Sequence, residues 1–188
     1  MPGYHEQVYQ PEKDTHLLLK YALREAKPED KILEVGTGSG LIAKEMTKIS
    51  KNTIAVDINP HACISAKCAG VEVIRCDLLS CIRGRFDLIL FNPPYLPTSP
   101  DERINDWLEY ALDGGENGRK TIERFADVLE NIMSGTGRCL LLVSSLTGIE
   151  EVSNYLSNLG LLSFIIAEEQ VEDEKLFILR IIHDMCRL

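Results

Sequence analysis

The chain is patterned in short blocks whose hydrophobic period switches between that of a helix and that of a strand. In residues 13–26 the apolar positions Leu17, Leu18, Tyr21 and Ala22 recur at helical spacing, and Pro28 closes the block. Asp14 and Thr15 stand at its start, where side-chain oxygens can cap free amides. Residues 31–35 then read as a strand, 41–50 as a helix, 53–56 as a strand, 60–69 as a helix and 71–75 as a strand, joined by short links. Repeated strand–helix–strand units of this kind require a parallel sheet with right-handed crossovers. A fourth strand, 86–91, carries an apolar run suited to burial on both faces. After the long irregular stretch 92–120, of a length associated with functional loops, come a helix at 121–133, a strand at 138–144 and a helix at 149–158. Two last strands, 161–167 and 175–182, flank an acidic turn and read as a hairpin. The expected fold is α/β: a seven-stranded, mostly parallel Rossmann-like sheet with a C-terminal antiparallel hairpin and helices on both faces.

The fourth strand runs straight into Asn92-Pro93-Pro94-Tyr95. Neither proline can donate to a sheet ladder, and each holds the residue before it extended, so the Asn92 side chain and the Pro93 carbonyl form a rigid pair of acceptors at a strand's carboxyl end. Asn-Pro is also an ordinary turn former and Tyr95 could be a core anchor, so the surrounding residues must decide. Glu34 and the loop with Gly36, Gly38 and Gly40 follow the first strand, Asp57 ends the second, Asp77 and Leu78 follow the third, and Asn92 ends the fourth. In an open parallel sheet these positions share one edge, where ligands bind.

Composition narrows the setting. With 188 residues, 45% hydrophobic, the chain suits one sizeable core and is short for two, so a single domain over 1–188 is expected. Its apolar runs fall well short of a membrane span and its first residues lack the charged-then-apolar order of a secretory leader, which points to an untargeted chain in the cytoplasm. The six cysteines contain no Cys-x-x-Cys pair, which argues against a disulfide framework or a zinc site and for reduced thiols. A formal charge of -9 argues against a tight hold on a nucleic-acid backbone.

The glycine loop lets a ligand approach the backbone, and Asp57, about twenty residues on, can bind a ribose diol. A dinucleotide fits poorly: the expected third glycine is Leu41, and Glu34, Asp57 and Asp77 crowd the site with no basic residue in these motifs to meet a pyrophosphate. S-adenosyl-L-methionine suits the pattern better, with a diol for Asp57, an adenine amino group for Asp77, and a cationic sulfonium and amino-acid end near the glycine loop and Glu34. A plain tight turn for the loop, and a helix cap or solvated carboxylate for Asp77, are the structural alternatives.

Glu34-Val35-Gly36-Thr37-Gly38-Ser39-Gly40, Asp57-Ile58-Asn59-Pro60 and Asn92-Pro93-Pro94-Tyr95, in this order, resemble class I methyltransferases that modify a planar nitrogen. Tyr9-x-Pro11-x-x-Asp14-Thr15 and Gly114-Gly115-x-Asn117-Gly118-Arg119 narrow the resemblance to the HemK-like protein-glutamine N5-methyltransferases, in the short archaeal and eukaryotic branch. The resemblance implies methylation of the Gly-Gly-Gln glutamine of a class I peptide chain release factor. It implies that Asp14, Thr15, Glu34, Gly36, Gly38, Gly40, Asp57, Asp77, Leu78 and Asn92 contact the cofactor. Asn92, Pro93 and Tyr95 would be catalytic, and Asn92, Pro93, Pro94 and Tyr95 would hold the substrate. It further implies a small zinc-binding activator protein as heterodimer partner on the rim beside the third strand, where Val71 and Val73, with Cys63, Ile64 and Cys68, would form an apolar flank. Gln10 departs from the family's frequent glutamate and receives no role.

An amide nitrogen is a weak nucleophile, so what it chiefly needs is orientation. Acceptors at Asn92 Oδ1 and the Pro93 carbonyl would fix its hydrogens while Tyr95 stacks on the amide plane. The same acceptors fit the exocyclic amine of adenine, so the motif alone leaves a nucleic-acid adenine methyltransferase open beside the glutamine enzyme. A protein-lysine activity and a non-catalytic cofactor-binding scaffold are the other readings, the last disfavoured by the intact acceptors. The segment 96–118, with Trp107 and Tyr110, is expected to order over a glycine-flanked peptide; Trp107 could equally anchor the core.

Overall fold

In a computed structural model, residues 5–98 and 106–186 are described. The elements in chain order are α1 (Lys13–Glu25), β1 (Ile32–Val35), α2 (Leu41–Thr47), β2 (Thr53–Asp57), α3 (Pro60–Cys68), β3 (Val73–Arg75), β4 (Phe86–Phe91), α4 (Glu109–Leu112), α5 (Lys120–Ile132), β5 (Met133–Ser144), α6 (Ile149–Asn158), β6 (Leu161–Val171) and β7 (Glu174–His183). A single seven-stranded sheet runs β3-β2-β1-β4-β5-β7-β6. β1 to β5 pair in parallel, while β7 is antiparallel to both β5 and β6. The expected architecture is therefore present, including the C-terminal hairpin.

Strand periodicity builds two cores. Along β4, Ile89 and Phe91 face one side with Leu33, Val35 and Val56 and pack on Ile122, Phe125 and Leu129 of α5 and Val152 and Leu156 of α6. Leu88 and Leu90 face the other side with Ile32 and pack on Leu17, Leu18 and Ala22 of α1 and Ile42 and Met46 of α2. Each strand residue thus alternates between helical layers, which is why β4 reads as a continuous apolar run. The order of strands reverses between β1 and β4, and the register pairs Val35 with both Val56 and Phe91. The carboxyl ends of β1, β2 and β4 are level there, and the crevice outside them is the ligand position of this architecture.

A buried cation ties the opposite ends together. Arg138, 6% exposed, donates to Asp30 Oδ2 at 2.8 Å, to Glu25 Oε2 at 3.1 Å and to the Asp87 carbonyl at 2.9 Å, joining the end of α1, the approach to β1, and strands β4 and β5.

Four expectations need correction. Asp14 and Thr15 do not cap α1; Glu12 holds the cap position without a side-chain bond, and Asp14 and Thr15 are buried in the first turn. Cys76 and Cys81 form a disulfide, because the chain turns back directly after β3 and brings the Cys81 amide to 3.1 Å from Cys76 Sγ. Val71 is buried with Ala43, Ala55 and Ala66 and Val73 packs partly buried against them, so the exposed apolar residues of this rim are Ile74 and, on α3, Ile64 and Cys68. The segment 96–118 contains α4, too short to carry a periodic signal, and part of it, 99–105, lies outside the described residues.

Candidate active site

Outside the carboxyl ends of β1, β2 and β4 lies a cavity of about 580 Å³, within the size range of small-molecule sites. Asp14, Thr15, Glu34, Gly36, Gly38, Asp57, Asp77, Leu78, Asn92, Pro93, Pro94 and Tyr95 all line it. Gly40 does not. It has φ +82, and a Cβ there would meet Ala66 Cα at 2.7 Å, so this glycine serves the close approach of α2 to α3.

The glycine loop is held from below by Glu34. Its Oε2 accepts from Thr37 Oγ1 at 2.5 Å and from the Ala43 amide at 2.9 Å, fastening the loop to the first turn of α2. Burial, with the Asp57 charge as a smaller contribution against these bonds, pushes the carboxyl up to about 8. Gly36 and Gly38, at φ +65 and +53, adopt the left-handed turn that follows. Asp57 accepts the Gly38 amide at 2.8 Å on one oxygen and the Asn59 amide at 2.8 Å on the other, with the Ile58 amide also directed at the carboxylate, and of its roughly four acceptor positions one is left for a partner such as a diol. Burial raises its pKa while those amides oppose the rise.

Asp77 forms an ion pair at 2.8 Å with Arg124 of α5, so a cation does stand at the rim although none lies in the glycine-loop motifs. Leu78 beside it has φ +49. On the facing wall Trp107 lies 5.3 Å from the Tyr110 ring, with the Arg75 guanidinium 5.4 Å from its own, and borders the cavity instead of anchoring the core.

The acceptor end is fixed by contacts from far along the chain. Asn92 Nδ2 donates to Asp14 Oδ2 at 2.9 Å, across 78 residues. The same oxygen accepts from Tyr9 Oη at 3.0 Å, and the other accepts from the Thr15 amide and hydroxyl. A carboxylate only accepts, so Asn92 must turn its amino group to Asp14 and its carbonyl oxygen away. That oxygen, Oδ1, is buried, and among the described residues nothing donates to it. Tyr95 is half buried; burial first, then Asp14, Glu174 and Glu12, push its phenol above the ordinary range, so it remains neutral.

The stretch after Tyr95 is anchored by the second glycine motif. Gly114 N donates to the Leu96 carbonyl and Thr98 N to the Gly115 carbonyl, each at 3.0 Å. A side chain on Gly118 would strike the Tyr95 carbonyl and Thr147, while Arg119 donates to the Thr147 carbonyl. The motif therefore clamps the exit of β4. An N-terminal strap completes the wall: Val8 is buried, the Gln7 carbonyl accepts from Asn59 Nδ2 at 2.7 Å, and the Tyr9 carbonyl lies over Gly38. Tyr9, Thr37 and Arg124 are the site residues for which the sequence offered no individual role. Arg124 carries no local signal at all, being paired across 47 residues.

Comparison with known proteins adds to this geometry. Residues 9–104 match the Methyltransferase small domain family. A protein of Methanocaldococcus jannaschii, named as a protein N5-glutamine methyltransferase, is 42% identical over 93% of this chain and 91% of its own length. Methyltransferase HEMK2 of Homo sapiens is 31% identical over 95% of this chain and 91% of its own length. A chain of the E. cuniculi Mtq2–Trm112 complex, described as responsible for methylation of the eRF1 translation termination factor, superposes with a TM-score of 0.78 at 28% identity, covering 94% of this chain and 99% of that one.

Proposed function

The chain belongs to the methyltransferase small-domain family and, within it, to the HEMK2-like protein N5-glutamine methyltransferases, and we propose that it methylates the glutamine of the Gly-Gly-Gln motif in a class I release factor. The buried, unpartnered Asn92 Oδ1 carries the reading: an acceptor held in a cavity by its own amino group is a site for an incoming N–H.

S-adenosyl-L-methionine would supply an electrophilic methyl group on a sulfonium. The cavity suits it: Asp57 keeps acceptor capacity for the ribose diol, Gly36 and Gly38 bring backbone close, and Asp77 with Leu78 lines the region for the adenine. Glu34, spent on Thr37 and Ala43, acts as the strut of the loop. Asn92 Oδ1 and the Pro93 carbonyl orient the two hydrogens of the substrate amide, and Tyr95 flanks its plane. Orientation is what a delocalised amide nitrogen lacks in water, and fixed acceptors supply it without reorganisation at the moment of reaction. The outgoing proton passes to water at the cavity mouth.

A small zinc-binding activator fits the β3 rim. β3 is the outer strand of the sheet, its three residues leave backbone groups open, and Ile74 and Ile64 are 41% and 61% exposed beside it. No helix among the described residues is long and apolar enough to cross a membrane. A release-factor substrate would fit a cytoplasmic activity.

The test incubates the purified protein, with and without the activator, with labelled cofactor and separately with a release factor, DNA and histone tails. Mass spectrometry should place one methyl on the Gly-Gly-Gln glutamine. Asn92→Ala should reduce it to a small but measurable residual rate with cofactor affinity retained, and Ile74→Lys should prevent co-purification with the activator. Methyl found only on DNA or lysine would overturn the substrate; an intact complex with Ile74→Lys would move the interface.

A further inference from the structure

We infer that Tyr9 is a positioning residue, whose hydroxyl holds Asp14 so that Asp14 in turn holds the Asn92 amide with Oδ1 facing the substrate; the inference rests on the proposed reaction. Tyr9 Oη and Asn92 Nδ2 converge on the same oxygen, Asp14 Oδ2, at 3.0 and 2.9 Å, and Thr15 occupies Oδ1 with its amide and hydroxyl. Both carboxylate oxygens are thus saturated and the carboxylate plane is fixed from two sides. Without the phenol, Oδ2 keeps only Asn92, the carboxylate is free to rotate about its Cβ–Cγ bond or to take up water, and the asparagine loses its reference. The phenol itself is placed by the strap, where buried Val8, the bond from Asn59 Nδ2 to the Gln7 carbonyl and the Tyr9 carbonyl over Gly38 leave the ring little freedom. Burial and the Asp14 charge push the phenol above its ordinary range, so it remains a donor at any physiological pH.

Tyr9 touches the reaction only through Asp14 and Asn92, which fixes the form of the test. Removing its hydroxyl in Tyr9→Phe should lower kcat about tenfold, the order expected for one hydrogen bond to a charged group, while KM for a Gly-Gly-Gln peptide and cofactor affinity by calorimetry change less than about twofold. In an Asn92→Ala background the same substitution should have no further effect, because the residue it positions is gone. Replacing Tyr9 with a ring-fluorinated tyrosine keeps the shape and lowers the phenol pKa; kcat should then fall as pH rises and the phenol stops donating, a limb absent from the natural protein. A crystal structure of Tyr9→Phe should show Asn92 displaced from Asp14. Tyr9→Phe turnover within twofold of the unsubstituted protein, or an undisturbed Asn92 in that structure, would overturn the inference. If the unsubstituted protein, with the activator present, fails to methylate both the peptide and the release factor, the reaction is wrong, and the structure of the variant still decides whether Tyr9 positions Asn92.

Discussion

Glu34→Gln should make the protein more stable at pH 8 and leave it nearly unchanged at acid pH. Glu34 is buried and its carboxyl sits at about 8, against 4.5 in an unfolded chain. Below the unfolded value both states are protonated, and the folded carboxylic acid accepts from Thr37 and Ala43 on Oε2 as a glutamine carbonyl would. As pH rises through 4.5 the unfolded chain gives up the proton and the folded chain keeps it, so stability falls from there until the folded group ionises near 8 and is then level. At about 1.36 kcal/mol per pK unit, the displacement sets a ceiling of roughly 5 kcal/mol. Relaxation around the new carboxylate reduces it, and about half is the expected size. The difference between variant and unsubstituted protein isolates this group from every other titration. Urea unfolding of both proteins, without cofactor, at intervals from pH 4 to 9 gives that difference directly. It should be within about 1 kcal/mol at the acid end, rise through the window and flatten above 8. Parallel stability curves across the window would refute the argument, and would mean that the buried carboxyl ionises as freely as an exposed one.

Arg138→Leu should cost about 3–5 kcal/mol in the same unfolding assay, because it strands the buried Asp30 carboxylate beside an apolar replacement while Glu25 keeps Arg180 at 3.5 Å; a loss below about 1 kcal/mol would show the network to be neutral. Asp57→Ala should weaken cofactor binding about 10- to 100-fold by calorimetry, the value of charge-assisted bonds to a diol, and an unchanged affinity would remove the diol assignment.

Much of the framework was legible because it is local. β4 spans Phe86–Phe91 and α6 spans Ile149–Asn158, as the apolar periods require, and Asn92-Pro93 stops β4 where proline cannot donate. The crevice followed from the strand order. What the pattern could not show is long-range or non-periodic. Asp14 looks like a cap until Asn92 arrives from 78 residues away, and Asp77 looks free of cations until Arg124 arrives from another helix. Gly40 looks like part of a ligand loop, yet its missing side chain makes room for Ala66. The Cys76–Cys81 link escaped because its spacing matches neither a metal knuckle nor a redox motif and depends on how the loop after β3 closes. α4 is a single turn, below the length at which amphipathic periodicity has meaning.

The lone acceptor at Asn92 bears on the resting molecule as well as on its chemistry. A buried carbonyl oxygen without a donor destabilises a fold by about 1–3 kcal/mol, and Asn92 Oδ1 is buried with no donor among the described residues while its amino group is bound to Asp14. Under the proposed reaction, a substrate N–H aimed at Oδ1 would supply the missing donor. Selectivity follows from that asymmetry: a ligand of the same shape without the N–H would gain the contact area but leave the oxygen still thirsty. Under the proposed reaction, that discrimination would be set by the fold itself, through the bond that orients Asn92.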